Sequence, residues 1–400
     1  MKDILVNNFL RYVKISSQSD ASKKTLPTSS GQLELAKLLK EELEELKLSN
    51  IKLDENGILT ACIKADESKK SIGFVAHLDT IDVGLSPNVN AQILKFTGDD
   101  LDLGKAILKV EQRPEIKKYL NEEIIFSDGS SVLGADNKAS VAILMTLAKE
   151  FAKNKDIPNV YFAFVPDEEI GLLGSKVLNL DDFCPDYAYT IDCCELGELM
   201  YETFNAASAK LFIKGVSAHP MNAYNVMLNP SILASEFTLL FDRLQSPENT
   251  KDKQGYIWIN ELFANQNEAI VGLNIRDHDK NLFEEKKEFI RKAVYFMQEK
   301  YKRAEFKLEI SDTYSNIKDA MNDKNKIALD KLKQAFKLCN IEPKIIAMRG
   351  GTDGSALSKR GLFVPNFFTG AYNFHSQFEF LPISSFLKSY EVAKTLITNS

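Results

Sequence analysis

Two histidines and three carboxylates of this sequence stand where apolar runs stop or a helix begins. His77 and Asp79 close Ser71-Ile-Gly-Phe-Val-Ala-His-Leu-Asp-Thr80. Glu168 and Glu169 follow Tyr161-Phe-Ala-Phe-Val-Pro-Asp167. Asp192 ends Pro185-Asp-Tyr-Ala-Tyr-Thr-Ile-Asp192, and His375 ends Thr369-Gly-Ala-Tyr-Asn-Phe-His375. Asp136 lies in Leu133-Gly-Ala-Asp-Asn-Lys-Ala-Ser140, at the head of a helical pattern. Each has a plain reading when taken alone: acids solvate loops, a histidine beside an acid is commonly a structural hydrogen bond, and Asp caps helices well. Taken together, His77, Asp136, Glu169, Asp192 and His375 are a suitable ligand set for two zinc-like ions sharing one carboxylate. In such sites the ions lie ~3.5–4 Å apart, polarise a carbonyl and activate a water. That chemistry also needs a base, a donor for the developing oxyanion and a partner that fixes a ligand histidine. Glu168, His219 and Asp79 are available for those roles.

Positioning these groups requires buried strands, because open α/β sheets place their ligand crevice at the carboxyl ends of strands. Val160–Val165, rich in aromatic and β-branched residues and stopped by Pro166, reads as one such strand. The runs before His77 and Asp192 read likewise, as do 344–348 and 364–368. Leu35, Leu38, Leu39, Leu43 and Leu46 follow helical spacing, and residues 325–338 predict another helix. Residues 51–63 predict a strand pair turned at Asn56-Gly57. From about 85 to 127 the chain is polar with little periodicity beyond a short helical piece at 114–120, and it reads as an insertion. Between 205 and 315 the pattern changes to strand, helix, two strands, helix, strand, the order of a small α+β unit. The Gly-rich turn Arg349-Gly-Gly-Thr-Asp-Gly-Ser355 lacks the Lys-Ser/Thr of a phosphate loop, and His278, between Asp277 and Asp279, reads as a surface residue.

The 400 residues are 44% hydrophobic and 26% charged, enough for a sizeable core. A net charge of −6 without a basic run argues against nucleic acid as a partner. No apolar run approaches the ~20 residues of a membrane span. The start lacks the pattern of a signal peptide, and five scattered cysteines suit a reduced, cytoplasmic protein.

His-Leu-Asp-Thr, Gly-Ala-Asp-Asn-Lys-Ala, Pro-Asp-Glu-Glu-Ile-Gly, Ser-Ala-His-Pro and Arg-Gly-Gly-Thr-Asp-Gly, in this order, resemble the co-catalytic zinc peptidase family that contains peptidase T, carboxypeptidase G and the aminoacylases. Three stretches are similar to the peptidase T branch: Phe204-Asn-Ala-Ala-Ser208, Ile275-Arg-Asp-His-Asp279 and Asn366-Phe-Phe-Thr-Gly-Ala-Tyr-Asn-Phe-His375. The resemblance implies an α/β fold: a catalytic domain (1–204 and 316–400) with a mixed, largely parallel sheet flanked by helices, and an inserted α+β lid domain (205–315). It implies two Zn2+ per chain, one held by His77 and Asp192, the other by Glu169 and His375, with Asp136 bridging. Glu168 would be the general base, Asp79 the orienter of His77, and His219 an oxyanion donor from the lid. Arg276 would meet the substrate carboxylate, with Asn205 and Arg349 as further substrate-binding candidates. The implied activity is release of the N-terminal residue from short peptides, most readily tripeptides. A related dipeptidase, carboxypeptidase or N-acyl amino acid hydrolase is the alternative. The expected state is a monomer or a homodimer through the lid. The chain departs from the pattern at three places: Cys193-Cys194-Glu195 where glycines are expected after Asp192, Ser376-Gln377-Phe378-Glu379 for Gly-Lys-His-Glu, and Met221-Asn222 for Gly-Thr.

Overall fold

The computed structural model describes residues 1–399. The chain separates into two compact units, one formed by Met1–Tyr201, Ala320–Ile346 and the stretch from Thr352 onward, the other by Glu202–Asp319 and Ala347–Gly351. The fold is α/β: a mixed sheet flanked by helices in the first unit, and an α+β arrangement in the second.

The first unit is built on an eight-stranded sheet. At its centre four neighbouring strands run parallel, in the order Val160–Val165, Ile72–His77, Tyr187–Ile191 and Asn366–Phe367. They are short and almost wholly buried, as parallel strands covered on both faces must be. Gly73 is required at its position, since a Cβ there would fall 2.6 Å from the Pro185 ring and 2.7 Å from the Phe183 ring. Leu59–Ile63 and Ser49–Leu53 extend one side of the sheet antiparallel, turned where Gly57 takes φ +77°. Such a backbone needs no Cβ. The helix Ala135–Phe151 has apolar residues nearly all round and is buried along most of its length, which suits a helix sandwiched between other elements. Leu144 on it is fully buried, and truncation to Ala should cost about 2–5 kcal/mol.

Two regions differ from the sequence-based expectation. Residues 85–127 are far from structureless. They form Gln92–Lys95 and Glu123–Phe126, which pair antiparallel in a three-stranded sheet completed by Phe380–Pro382. Phe96, Leu103, Leu108, Ile116, Phe126 and Phe380 make a separate small core beneath it. The strands are too short for periodicity to show, and their third partner lies some 250 residues away in the sequence. His278 is buried rather than superficial. Its Nε2 donates to the Met348 carbonyl at 3.0 Å, and its ring packs on Phe204 with centroids 4.3 Å apart.

The second unit carries a four-stranded antiparallel sheet in the order Tyr256–Ala264, Glu268–Asp277, Asn205–Lys214, Glu305–Tyr314. Helices Pro230–Thr238 and Lys280–Lys300 cover one face, packing Leu233, Phe237, Ile290 and Met297 against Leu211, Val271 and Leu273.

Candidate active site

The candidate residues of the first unit converge at the carboxyl ends of the four parallel strands. His77 is the last residue of its strand and is buried. Its Nδ1 lies 3.1 Å from the Asp79 carbonyl and 3.2 Å from Asp79 Oδ1. Both partners are acceptors, so Nδ1 carries a proton, and Nε2 is the nitrogen left to serve a metal once it is deprotonated. Nε2 meets Asp136 Oδ1 at 3.0 Å and lies 3.8 Å from Asp192 Oδ1. On the other side, His375 Nε2 lies 3.4 Å from Asp136 Oδ2 and 3.2 Å from Glu169 Oε1. The two oxygens of Asp136 thus face different histidines. Among the described residues, His77, Asp136 and Glu169 place donor atoms within 4.8 Å of one another.

Asp136 does not act as a helix cap. Asp136 and Asn137 both have non-helical dihedrals, so the regular helix begins beyond them, and the Asp136 oxygens face His77 and His375 instead of a helix amide. Glu379 holds this stretch from behind, accepting from the Leu133 and Gly134 amides at 2.8 and 2.9 Å through Oε2, and from the Asp136 amide at 3.1 Å through Oε1. Asn137 fixes Asp192, donating from Nδ2 to Asp192 Oδ1 at 2.9 Å and to the Ile191 carbonyl at 2.8 Å.

The acidic triplet is anchored twice. Asp79 accepts from the Glu168 amide at 3.0 Å through Oδ1 and from the Glu169 amide at 3.2 Å through Oδ2. Asp167, at φ +55°, turns away and accepts from the Thr28 amide and hydroxyl and from Gln32 Nε2. Gln32 returns a hydrogen bond from the Asp167 amide to its own Oε1 at 2.9 Å. Thr28, Gln32, Asn137, Asp167 and Glu379 are positioning residues that sequence reasoning did not assign. Asp167 and Asn137 adjoin site residues, and that adjacency was the available signal; for Thr28 and Gln32 the sequence carries none.

The electrostatics follow from crowding acids and imidazoles out of water. Burial pushes Glu169 up to about 7, and it raises Glu168 and Asp192 as well, with neighbouring carboxylates adding to the rise. Asp136 goes the other way: burial opposes its charge, yet His375 and His77 hold it below the usual carboxylate range. His375 is raised to about 10 by the Asp136 and Glu169 carboxylates beside it, and His77 is raised, against burial, by Asp136, Asp192 and Asp79. Asp353, at the start of the helix Asp353–Lys359, is buried and pushed up to about 7 by desolvation, with its Oδ1 unpaired.

Glu169 Oε1 is buried and has no hydrogen-bond partner of acceptable geometry. An acceptor left in that condition is costly in protein alone and suits a cation. With imidazole nitrogens and carboxylate oxygens as the only donors, the set fits zinc or a similar divalent ion.

His219, Asn205, Arg276 and Arg349 belong to the second unit. His219 is on a loop, with its Nδ1 accepting from the Met221 amide at 3.2 Å. Asn205 Oδ1 accepts from the Asn316 amide at 3.0 Å. Arg276 Nη1 donates to the Ala207 and Ile275 carbonyls, both at 2.9 Å. Arg349 is held by the Asp252 and Gln254 carbonyls and the Thr250 hydroxyl, and packs over the Phe204 and Tyr256 rings.

Residues 134–399 match the sequence profile of peptidase family M20/M25/M40, and residues 59–183 match that of peptidase family M28. A peptidase T-like protein of Yersinia pestis is 48% identical over 99% of this chain and 97% of its own length. The chain belongs to peptidase family M20/M25/M40. The peptidase T of Fusobacterium nucleatum is 40% identical over 98% of this chain and 97% of its own. Among solved structures, a tripeptidase from Staphylococcus aureus superposes with a TM-score of 0.77 at 20% identity, covering 100% of this chain and 98% of its own. Membership of this family makes the chain a peptidase. No helix among the described residues is long and apolar enough to cross a membrane.

Proposed function

We propose that this family member is a cytoplasmic di-zinc aminopeptidase that releases the N-terminal residue of short peptides, tripeptides foremost, with the first unit as its catalytic domain and the second as its lid. The observation that carries the two-metal reading is the division of Asp136, with Oδ1 toward His77 and Oδ2 toward His375. His77 and Asp192 would hold one ion, Glu169 and His375 the other, and Asp136 would bridge them. When bound, the ions supply a Lewis acid for the scissile carbonyl and lower the pKa of the attacking water.

The rest of the chemistry falls to the chain itself. Glu168 takes the proton of the attacking water and delivers it to the leaving amine, a role that its raised proton affinity suits. Asp79 keeps His77 in the tautomer that presents Nε2 and holds the Glu168 amide in place. The lid's His219 donates to the developing oxyanion, and Arg276 grips the far carboxylate, with Asn205 and Arg349 lining the groove. These lid roles rest on the family resemblance.

The stated substrate follows the peptidase T relatives. The alternative of a related dipeptidase, carboxypeptidase or N-acyl amino acid hydrolase gains from two observations. The chain is more similar to a peptidase T-like protein than to the Fusobacterium peptidase T, and two cysteines follow Asp192. A panel of tripeptides with either terminus blocked separates them, because an aminopeptidase fails on acetylated substrates. Cleavage of acetylated and free peptides at equal rates would overturn the aminopeptidase reading. Fewer than two ions per metal-saturated chain would overturn the di-metal one.

A further inference from the structure

We propose that Cys193 and Cys194 form a dithiol site for a thiophilic centre that accepts two sulfurs at once, of which a trivalent arsenical is the type. The two residues follow Asp192 directly. Both have left-handed backbones, φ +35° and +65°, which side chains rarely adopt. The turn is pinned: the Cys193 carbonyl accepts from the Thr369 amide at 2.9 Å and the Thr369 hydroxyl at 3.0 Å, and the Cys194 carbonyl from the Gly370 amide at 3.3 Å. This places the two Sγ atoms 3.8 Å apart, with Cys193 half-buried and Cys194 buried.

All five thiols are free, and the other three are spread through the chain at 62, 184 and 339. Oxidation is the poor outcome for this pair. Adjacent residues have Cα atoms about 3.8 Å apart, short of the ~4.4–6.8 Å that an unstrained disulfide spans. One external atom bridging both sulfurs escapes that constraint. Sulfur ligands select soft centres, whereas the neighbouring imidazole and carboxylate set does not. With an arylarsine oxide, two S–H bonds break and two As–S bonds form. The arsenic-bound oxygen leaves as water with both protons, and no atom changes oxidation state.

Occupancy at this turn bears on the neighbouring groups. Asn366 donates from Nδ2 to the Asp192 carbonyl at 2.8 Å and also contacts Cys194 Sγ at 3.7 Å. The Thr369–Gly370 stretch that pins the turn leads to His375. A bridged dithiol therefore disturbs the supports of Asp192 and His375 and inhibits the enzyme. The binding claim stands without the proposed function; the inhibition rests on it.

The test uses the full chain and phenylarsine oxide. Native mass spectrometry should show one adduct, heavier by the reagent less one water and removable by a dithiol but not by a monothiol. Cys193→Gly and Cys194→Gly, in which glycine suits the backbone, should each lose that adduct, while Cys184→Ser keeps it. Peptidase activity should fall with one equivalent in the native protein and not in either glycine variant. No adduct, an adduct retaining its oxygen, or one that survives in both glycine variants would overturn the site. Uptake with undiminished activity would overturn its coupling to Asp192 and His375. An arsenical site with no activity in the untreated protein would count against the proposed function alone.

Discussion

Asp79 Oδ1 accepts the Glu168 amide at 3.0 Å while standing 3.2 Å from His77 Nδ1, so one buried carboxylate fixes both a proposed metal ligand and the residue proposed as base. The consequence is that Asp79 cannot be altered for one role alone. Asp79→Asn turns one acceptor into a donor among three donors. Partners of this kind typically contribute 10–100-fold to metal affinity or activity. Metal titration of the variant should show affinity weakened about 10- to 100-fold, with turnover reduced even at saturating zinc. A variant with native affinity and native turnover would mean that the His77 tautomer and the Glu168 backbone are fixed by something else.

Glu168→Gln separates proton transfer from metal binding. The side chain is no proposed ligand, so both ions should remain, measured by elemental analysis. Turnover should fall about 10²–10⁴-fold, the usual range of a general base. Near-native turnover would show that the roles of Glu168 and Glu169 are exchanged or that neither is the base.

The pKa shifts give a pH dependence with a definite sign. In the metal-free protein His375 rises from 6.5 to about 10, so its contribution to stability is full below about 6.5 and is lost as pH climbs through about 10. Glu169 rises from 4.5 to about 7, so the metal-free fold loses its favour for the protonated acid between those values. Zinc requires both groups deprotonated and must displace those protons at low pH. The rise in Tm on adding zinc should therefore be small near pH 5 and grow steadily to pH 8. Thermal scans with and without zinc across that range check it, and an equal rise at both ends would contradict the site as drawn.

How far the sequence reached depends on whether a feature is local. Three of the four parallel strands announced themselves as apolar runs broken by a histidine, a proline or an acid, at Ala76-His77, Val165-Pro166 and Ile191-Asp192. His77, Glu169 and Asp192 sit at or just past those breaks, whereas Asp136 stands at the start of a helix and His375 beyond the fourth strand. What could not be read was cooperation between distant, ordinary residues. Nothing in Ser376-Gln377-Phe378-Glu379 says that Glu379 will gather three amides from residues 133–136, and nothing at Thr28 or Gln32 points to Asp167. His278 misled for a related reason: flanked by acids it looks solvated, yet Asp277 pairs with Lys286 and Asp279 caps a helix. The imidazole is left to bond the Met348 carbonyl.

Arg276 can be tested against that same structural background. Its acidic neighbours are engaged elsewhere, so it is not the exposed partner of Asp277 or Asp279. Nη1 serves two backbone carbonyls, and the guanidinium lies 5.7 Å from the Tyr314 ring centroid. A guanidinium held in this way is preorganised, and its remaining N–H groups suit a carboxylate gripped by two parallel bonds, a geometry that Lys does not reproduce. Charge-assisted bonds contribute about 1.5–3 kcal/mol, so Arg276→Ala should lower kcat/KM for free tripeptides roughly 10- to 150-fold, at about 1.4 kcal/mol per tenfold. The same truncation also strips two hydrogen bonds from the strand pair Asn205–Lys214 and Glu268–Asp277, so a loss of rate alone is ambiguous. Comparing free with C-terminally amidated tripeptides resolves it. If Arg276 reads the carboxylate, the native enzyme prefers the free acid and the variant loses that preference. A variant slowed by one factor on both substrates would make Arg276 a brace of the second unit's sheet and leave the carboxylate to another cation.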